Sequence, residues 1–410
     1  MNHKKCRFCS EELKFSFCDL GMSPVSNSFV KPDDLTKKEI FYPLHAYVCE
    51  NCFLVQIEEF SSPKEIFNDY AYFSSYSKSW LEHCESYAVK MIRLYGLNKS
   101  RRVIEIASND GYLLKYFLGK GIPVLGIEPA ENVAKVAQEN GIKTLIKFFG
   151  KTTASELVSA NIHADLLIGN NVLAHVPDIN DFVSGMKLLL NHDGVITLEF
   201  PHILRLIEEN QFDTIYHEHF SYLSLLVVNK IFEYHGLVIF DVEEITTHGG
   251  SLRIYAQHLE TGVRIVSESV GDLLLKETKF GLGNIERYIN FNDNVSISKR
   301  KLLNYLIQVK EKKQSIVCYG AAAKGNTLLN YCGIRNDFID YVVDKSIYKQ
   351  GLYLPGTRLA IYSPEKIRET KPDFILILPW NLKFEIMEQL DYIRDWGGKF
   401  IIPIPFVQVV

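Results

Sequence analysis

The chain has 410 residues, of which 47% are hydrophobic and 23% charged. This is an ordinary composition for a globular protein long enough to form two or three domains. The formal net charge of −4, without a long basic run, gives no support for binding nucleic acid or an anionic membrane surface. The first residues lack the apolar core of a signal peptide, and no apolar run is long enough to span a bilayer. We therefore expect a cytoplasmic protein with neither nucleic acid nor membrane as a partner.

Four of the eight cysteines form two Cys-x-x-Cys pairs near the N-terminus, Cys6 with Cys9 and Cys49 with Cys52. Each pair offers two thiolates on one tight turn, and two such turns complete the tetrahedron that zinc prefers. A redox disulfide would need one pair, usually opening a helix beside a βαβ unit, and neither pair has that setting. Because all four ligand positions are filled, the predicted zinc site is structural. The uneven clustering of the cysteines favours a reduced cytoplasm over a disulfide framework.

A nucleotide-cofactor unit is predicted over residues 102–128. An apolar strand leads into a small polar turn that ends at Gly111, and a helix is predicted over 112–118 with Asn109 or Asp110 as its cap. A second strand ends on Glu128, which is placed to accept the hydroxyls of a ribose. NAD enzymes share this arrangement.

Two details of this unit favour S-adenosylmethionine over NAD. The turn lacks the Gly-x-Gly-x-x-Gly pattern that cradles a pyrophosphate. Glu105 lies in the first strand, where a carboxylate can order the loop under a cationic cofactor. The alternative is that Glu105 only accepts hydrogen bonds from loop amides.

The rest of the predicted sheet follows over residues 165–255. Residues 165–171 form a fourth strand, with Asn170 and Asn171 at its carboxyl end, the edge where ligands of open α/β sheets collect. His175 follows, and its position favours a role in the site over one as a helix cap or core residue. Further strands are predicted at 195–200, 237–242 and 251–255. The last two form a hairpin, which suits a methyltransferase fold better than a dinucleotide dehydrogenase.

Residues 216–219, Tyr-His-Glu-His, concentrate groups that transfer protons. They precede a helix predicted to run from near Ser224 to Gly236, so they lie in a loop between sheet elements. Three interpretations are compatible with the pattern: a His-x-His metal site, a structural polar cluster, and general acid–base chemistry. The last is favoured because imidazole can take a proton at neutral pH. Tyr216 could donate a hydrogen bond to a developing oxyanion.

A second α/β pattern begins near residue 300. A strand at 315–320 precedes a helix at 321–332, and further strands are predicted at 340–344, 373–378 and 400–403. The turn Gly-Ala-Ala-Ala-Lys-Gly leaves backbone amides open at a helix N-terminus, which favours a phosphate or carbonyl oxygen, and Lys324 adds a positive charge. The spacing departs from a P-loop, and a purely structural turn is equally compatible with it.

The sequence resembles the sugar C-methyltransferases that methylate C3 of a nucleotide-linked 4-keto-6-deoxyhexose, notably those of the dTDP-tetronitrose pathway type. The resemblance covers nearly the whole chain and includes both cysteine pairs and the segments 20–29, 42–44, 49–56, 105–111, 171–175, 216–219 and 319–326. It implies a class I S-adenosylmethionine methyltransferase core, Rossmann-like, over residues 61–300. A zinc-binding domain would occupy 1–60, and a C-terminal Rossmann-like domain, expected to bind the nucleotide-sugar, would occupy 301–410.

The resemblance also implies roles for individual residues. His219 matches the base that removes the C3 proton, and Tyr216, Glu218, His175 and a tyrosine upstream line the site. That tyrosine is Tyr70 or Tyr72, with Tyr70 preferred as catalytic and Tyr72 expected to contact substrate. The residues expected to contact the cofactor are Glu105, Ala107, Asn109, Gly111, Glu128, Asn170 and Asn171, and Lys324 and Asn326 are expected to contact the substrate. Ala107 departs from the family, because a glycine commonly stands there.

The function predicted from the sequence is methylation at C3 of the sugar by a monomer that uses S-adenosylmethionine and a structural zinc ion. The dTDP and GDP carriers are both compatible with the sequence. Two alternatives are an O-methyltransferase acting on a sugar and a non-methylating protein that binds or oxidises a nucleotide-sugar. Within the 216–219 segment, His217 is the residue least expected to contribute.

Overall fold

The computed structural model describes residues 4–60, 75 and 78–410. Its N-terminal sheet consists of β1 (Phe15–Ser23), β2 (Tyr42–Val48) and β3 (Val55–Ile57), joined by β9 (Ser221–Tyr222) from the middle of the chain. All neighbouring pairs in this sheet are antiparallel. The loop that contains residues 216–219 therefore leads directly into a strand that belongs to the sheet of the cysteine-rich region.

The central sheet has seven strands among the described residues, in the order β10-β11-β8-β7-β4-β5-β6. Their bounds are β4 Val103–Ile106, β5 Val124–Ile127, β6 Thr144–Leu145, β7 Ala164–Asn170, β8 Leu190–Pro201, β10 Leu237–Ile245 and β11 Ser251–His258. All but β11 are parallel to one another, and the predicted hairpin of β10 and β11 is confirmed. Every residue of β4 is buried, because the sheet is covered on both faces.

Helices pack on both faces of this sheet. They are α1 Lys78–Tyr95, α2 Leu114–Leu118, α3 Glu131–Glu139, α4 Lys151–Ser159, α5 Ile179–Leu189, α6 Ile203–Glu208, α7 Leu225–Tyr234 and α8 Glu268–Phe280. The predicted start of α7 is confirmed, since Ser224 is its N-cap and its side chain accepts a hydrogen bond from the Val227 amide. The predicted cap of α2 is wrong. That helix begins after Leu113 without a side-chain cap, because the preceding turn holds Asn109 in a left-handed conformation (φ 48°).

The C-terminal sheet follows α9 (Ile285–Ile289) and α10 (Phe291–Glu311). Its strands are β12 Ile316–Tyr319, β13 Val342–Val343, β14 Ile361–Tyr362, β15 Phe374–Ile377, β16 Lys399–Ile402 and β17 Gln408–Val409, in the order β14-β13-β12-β15-β16-β17. Helices α11 (Ala323–Cys332), α12 (Lys366–Thr370) and α13 (Lys383–Gln389) complete this region.

Strand order reverses once in each of the two α/β sheets. In the central sheet the reversal lies between β4 and β7, and in the C-terminal sheet it lies between β12 and β15. Ligands of open α/β sheets bind in the crevice outside the carboxyl ends of the strands at such a reversal. The two crevices are therefore the positions where the fold favours small-molecule binding. Among the residues that the structure describes, no helix is both long and apolar enough to cross a bilayer.

Candidate functional site

Four cysteine sulfurs converge at the N-terminus. The ligand atoms of Cys6, Cys9, Cys49 and Cys52 all lie within 4.8 Å of one another, and two of the Sγ–Sγ distances are 3.6 and 3.5 Å. A tetrahedral zinc ion with Zn–S bonds of about 2.3 Å separates its sulfurs by roughly 3.8 Å. The four residues therefore fit a zinc ion, and no protein ligand position is left open for catalysis.

The turn after β4, where the sequence predicts the cofactor, has an unusual backbone conformation. Ala107, Asn109 and Gly111 all have positive φ angles, of 57°, 48° and 79°. A Cβ atom on Gly111 would lie 2.3 Å from the Cδ1 atom of Ile142, so glycine is required there by both backbone and packing. Ala107, in contrast, is an L-residue held in a conformation that glycine adopts more easily.

Replacing Ala107 by glycine should stabilise the protein. The left-handed conformation destabilises the folded state by about 1–2 kcal/mol when the residue is alanine. Glycine avoids this cost, but its greater backbone freedom in the unfolded chain lowers the free energy of unfolding by about 0.5–1 kcal/mol. We expect a higher melting temperature with cofactor affinity retained, measured by thermal unfolding and calorimetric titration. Ala134→Gly, inside α3, is the matched control and should destabilise by about 1 kcal/mol. A lower melting temperature in A107G would contradict the strain argument.

Two buried carboxylates flank this turn. The Glu128 carboxylate accepts hydrogen bonds from the amides of Asn109 and Ala130, both at 2.9 Å, and burial raises its pKa to about 7. Glu105 is fully buried, and burial raises its pKa well above the ordinary value even though Tyr112 opposes this shift. Glu128 thus joins the ends of β4 and β5, and Glu105 lies beneath the turn.

Asn170 and Asn171 lie beside the turn, across the reversal of strand order. Asn171 has a φ of 54°, and its amide donates to the carbonyl of Glu199 on β8 at 2.7 Å. The side-chain oxygens of both asparagines are buried without a hydrogen-bond partner among the described residues. All seven residues predicted to contact the cofactor thus lie in the turn, at the strand ends or beside the crevice, and the orphaned asparagine oxygens fit the polar groups of a nucleoside cofactor.

His219 is held in one tautomer by its neighbours. Its Nδ1 atom lies 2.9 Å from the carbonyl oxygen of Thr214, which can only accept, so Nδ1 carries the proton. The Nε2 atom of the neutral ring is therefore an acceptor, and the Tyr216 hydroxyl donates to it at 2.7 Å. Burial, followed by the charge of His175, lowers the pKa of His219 well below its ordinary value. The residue is thus a neutral base with a defined lone pair.

His175 lies against His219 from the side of the cofactor crevice. The two ring centroids are 4.7 Å apart in an edge-to-face arrangement. His175 hydrogen-bonds to the backbone of Glu218, and burial lowers its pKa to about 4. The short helix that carries it, Leu173–His175, directly follows β7 and Asn171. The structure therefore brings His175 and His219, which lie 44 positions apart in the sequence, to the carboxyl edge of one sheet.

Glu218 and His217 point to the N-terminal region. Glu218 accepts a hydrogen bond from the Asn27 side-chain amide at 2.7 Å, and burial raises its pKa to about 7. Nε2 of His217 lies 3.2 Å from the Pro43 carbonyl, and the ring packs edge-on against Tyr42. Adjacent residues of the motif therefore have different surroundings, and the polar contacts of His217 are with the N-terminal sheet.

Lys324 lies at the strand-order reversal of the C-terminal sheet. Its Nζ donates to Asn381 at 2.8 Å and lies 4.7 Å from the centre of the Trp380 ring. Burial lowers the pKa of Lys324, and Asp213 opposes this shift. The Trp380 indole donates to Asp213 at 2.7 Å. Asp213 lies six residues before His219 in the chain, and the charge of Lys324 is one of the influences that lower the pKa of His219, after burial and His175.

The turn before α11 departs in part from the prediction. The amide of Ala321 is not open, because it donates to the Asp344 carboxylate at 2.7 Å. Asn326 is fully buried, and its side-chain oxygen accepts from Asn330 at 3.2 Å. Asn326 thus lies inside the packing behind the His219 loop, so a direct contact with substrate remains a prediction. Tyr70 and Tyr72 lie outside the described residues.

Sequence reasoning missed three residues around these crevices. Asn27 and Trp380 reach the His219 loop from distant parts of the chain. His248 has a left-handed backbone (φ 57°), and its ring lies 5.4 Å from that of Trp80. Two of them carried a signal in the sequence, because Asn27 lies in the 20–29 segment of the resemblance and His248 precedes two consecutive glycines.

Comparisons with known proteins cover the chain almost end to end. Three family models match: a proposed zinc binding domain at 6–67, a methyltransferase domain at 80–242 and a C-methyltransferase C-terminal domain at 246–405. The C-methyltransferase NovU of Streptomyces niveus is 32% identical over 406 residues, which are 99% of this chain and 96% of NovU.

Two solved structures that resemble the chain each align with 43% of it. An S-adenosylmethionine-dependent methyltransferase from Clostridium acetobutylicum is 9% identical, with a TM-score of 0.35 over 43% of this chain and 92% of its own. Magnesium protoporphyrin IX methyltransferase from Synechocystis is 16% identical, with a TM-score of 0.32 over 43% and 77%. Neither alignment carries the assignment, which depends on the full-length relative.

These findings confirm the predicted fold class and cofactors. The strand order of the central sheet, with β11 antiparallel between β8 and β10, and the matching methyltransferase domain identify a class I S-adenosylmethionine methyltransferase core. The cysteine cluster and the matching zinc domain identify a structural zinc site. The chain belongs to the C-methyltransferase family.

Proposed function

We propose that this C-methyltransferase acts on C3 of a nucleotide-linked 4-keto-6-deoxyhexose, with His219 as the base that removes the C3 proton. The observation that carries this proposal is the fixed tautomer of His219, whose Nε2 atom accepts from Tyr216 and whose ring packs against His175, just after the carboxyl end of β7. Methylation at carbon needs a base for a weakly acidic C–H bond, and a neighbouring ketone makes such a proton removable.

The residues around His219 support two events, removal of the C3 proton and stabilisation of the enolate that forms. Nε2 takes the C3 proton while the N–H at Nδ1 keeps its hydrogen bond to the Thr214 carbonyl. One of the two N–H groups of the resulting imidazolium therefore already has an acceptor. The Tyr216 hydroxyl, displaced from Nε2, is free to donate to the enolate oxygen at C4. When bound, S-adenosylmethionine supplies an electrophilic methyl group on a sulfonium centre. The C3 carbon would take this methyl group as the bond from the methyl to the sulfonium sulfur breaks and the sulfur keeps the electron pair, and attack on the face opposite the base would invert C3.

We assign nucleotide-sugar binding to the C-terminal α/β region. Lys324, Trp380 and Asn381 lie at its strand-order reversal and adjoin the His219 loop through Asp213. A cation and an aromatic face suit the diphosphate and the base of a nucleotide. The predicted domain limits of 1–60, 61–300 and 301–410 belong to this proposal, as do a monomeric state and a cytoplasmic location.

The substrate proposal is tested by mass spectrometry. The protein is incubated with S-adenosylmethionine and a panel of dTDP- and GDP-linked 4-keto-6-deoxyhexoses, and the sugar is expected to gain one methylene unit of mass. In deuterated buffer without cofactor, the C3 hydrogen of the substrate should exchange. Product methylated at oxygen, without exchange at C3, would indicate the O-methyltransferase alternative. No methylated sugar from any donor in the panel would overturn the proposed substrate class.

Replacing Lys324 by methionine should weaken nucleotide-sugar binding selectively. The variant keeps an unbranched side chain one atom shorter than lysine, and it loses the positive charge together with the contacts of Nζ to Asn381 and Trp380. We expect KM for the nucleotide-sugar to rise about 10- to 100-fold, as for a lost hydrogen bond to a charged group of about 1.5–3 kcal/mol, while affinity for S-adenosylmethionine is unchanged. Steady-state kinetics and calorimetry measure these two quantities. An unchanged KM would place the diphosphate elsewhere.

A further inference from the structure

The zinc-binding cysteines connect to the His219 loop through one buried glutamine. Gln56 is 2% exposed. Its side-chain amide donates to the Cys6 sulfur at 3.2 Å, and its side-chain oxygen accepts from the Arg7 amide at 2.8 Å. The same residue lies in β3, paired with Ser221 of β9. Gln56 therefore contacts a metal ligand with its side chain and the strand that follows His219 with its backbone.

Arg7, between the first two cysteines, makes a second connection. Its guanidinium donates to the carbonyl of Pro177 at 2.7 Å and to that of Ile57 at 2.6 Å, and it lies over the Phe220 ring at 5.4 Å. Pro177 follows His175 by two residues, and Phe220 follows His219 directly. The amide of Ile57 in turn donates to the Phe220 carbonyl at 3.1 Å. One side chain of the zinc turn thus contacts both histidine segments.

These contacts depend on the geometry of the cysteine turns. The two pairs lie about 40 positions apart in the chain, with 3.5 Å between the Cys9 and Cys49 sulfurs, and metal binding is what holds such turns together. Groups that hydrogen-bond to metal ligands orient those ligands and are in turn fixed by them. A zinc site with only a stabilising role would not require the residue that hydrogen-bonds to a zinc ligand to lie also in the strand paired with β9.

We propose that Gln56 and Arg7 are positioning residues that couple the zinc site to the segments carrying His219 and His175. The zinc turn fixes Gln56 and Arg7. Gln56 fixes the register of β3 on β9, and Arg7 holds the residues around Pro177 and Phe220. The expected effect of this coupling on turnover rests on the proposed function, in which His219 is the base.

The test compares Gln56→Met with Gln138→Met. Methionine keeps the length of the side chain but loses both hydrogen bonds. Gln138 is exposed and donates to the Thr144 carbonyl at 2.9 Å in the central region, so its variant controls for the same substitution away from the zinc site. Zinc content by elemental analysis, affinity for S-adenosylmethionine, turnover and amide hydrogen exchange over residues 214–222 are measured for each protein.

We expect Gln56→Met to retain one zinc ion and its cofactor affinity. Amide exchange over residues 214–222 should become faster and turnover should fall by about 10- to 100-fold, whereas Gln138→Met changes neither. Unchanged exchange and turnover in Gln56→Met would overturn the coupling. Faster exchange in Gln56→Met, together with full activity of a His219→Asn variant, would leave the coupling standing and remove His219 as the base.

If Gln56→Met loses its zinc ion, the coupling is tested with Arg7→Met instead. This variant leaves the sulfur–sulfur contacts and the Gln56 hydrogen bond to Cys6 in place and removes only the guanidinium. Faster exchange over residues 172–177 and 216–222 with zinc retained supports the coupling. Exchange at the wild-type rate in both segments overturns it.

Discussion

Replacing His219 by asparagine is expected to reduce methyl transfer by about 10²- to 10⁴-fold, the usual contribution of a positioned general base. Asparagine can still donate a hydrogen bond to the Thr214 carbonyl, so the loop retains that contact, but it cannot take the C3 proton. Turnover by mass spectrometry and exchange of the C3 hydrogen in deuterated buffer should both be lost, with the affinity for S-adenosylmethionine unchanged. An active variant would remove His219 from the role of base.

His217→Asn is the matched control, because it is the same substitution two residues away. The polar contact of His217 is with the Pro43 carbonyl in the N-terminal sheet, so activity should be largely retained. Equal loss of activity in both variants, with equal loss of thermal stability, would indicate a folding defect instead of a lost base.

The pH dependence separates His219 from its neighbour Glu218. Burial and His175 lower the pKa of His219, so its neutral, basic form persists below the ordinary histidine value of about 6.5. The acidic limb of kcat/KM should therefore lie below that pH, survive in Glu218→Gln and disappear in His219→Asn. A limb near pH 7 that is lost only in Glu218→Gln would identify Glu218, whose pKa burial raises to about 7, as the titrating group.

Replacing Arg253 by methionine should destabilise the central sheet by about 3–5 kcal/mol, the cost of leaving one charge of a buried pair without its partner. The Arg253 guanidinium on β11 donates to the Glu199 carboxylate on β8 through Nε at 2.7 Å. His83 from α1 lies 3.0 Å from the same carboxylate. The Arg253 and Glu199 side chains are 5% and 1% exposed, so water cannot replace the lost partner.

The free energy of unfolding is measured with a denaturant. A ligand of the native state stabilises the region that binds it, so the unfolding transition that S-adenosylmethionine shifts is the one that reports on the central sheet. Arg205→Met is the control. Arg205 pairs with Glu208 and Glu244, but its side chain is 33% exposed, and its loss should cost at most about 1 kcal/mol. The double variant Arg253→Met with Glu199→Gln should recover much of the stability. Equal effects of the two arginine variants would contradict the argument from burial.

The pKa of Glu199 determines how the stability contributed by the Glu199–Arg253 pair changes with pH. Burial alone would raise the pKa of Glu199, but the hydrogen bond from His83 and the charge of Arg253 hold it below its ordinary value. A carboxyl with a depressed pKa stabilises the folded state at pH values above its unfolded pKa of about 4.3, and this stabilisation is lost as the pH falls through the folded pKa. The difference between wild type and Arg253→Met should therefore be constant near neutral pH and shrink in acid.

The features that the sequence predicted well are those with a local pattern. The paired spacing of Cys6, Cys9, Cys49 and Cys52 predicts a tetrahedral site. Buried runs such as β4 and β7, each followed by small polar residues, predict parallel strands with a ligand edge. The apolar run after Ser224 predicts the start of a helix there. Each signal is a short local pattern, repeated once in the case of the cysteine pairs, so it can be read without knowing the fold.

The features that the sequence missed depend on contacts between distant residues. Asn27 meets Glu218 across 191 positions, and Trp380 meets Asp213 across 167. Neither contact leaves a periodic or spaced pattern in one chain. The predicted cap of α2 was wrong because the turn before that helix adopts left-handed conformations at Ala107, Asn109 and Gly111, which tertiary contacts such as that of Glu128 with the Asn109 amide support.

The sequence by itself determined which chemical groups this protein has: a four-cysteine zinc site, an acidic pair at a cofactor turn and a cluster of proton-transfer groups at 216–219. Only the tertiary structure decided what each group does. It separates His217, facing the N-terminal sheet, from His219, which Thr214 and Tyr216 hold in one tautomer. The physical reason is that protonation and orientation depend on burial and hydrogen-bond partners, and folding brings those partners from all parts of the chain.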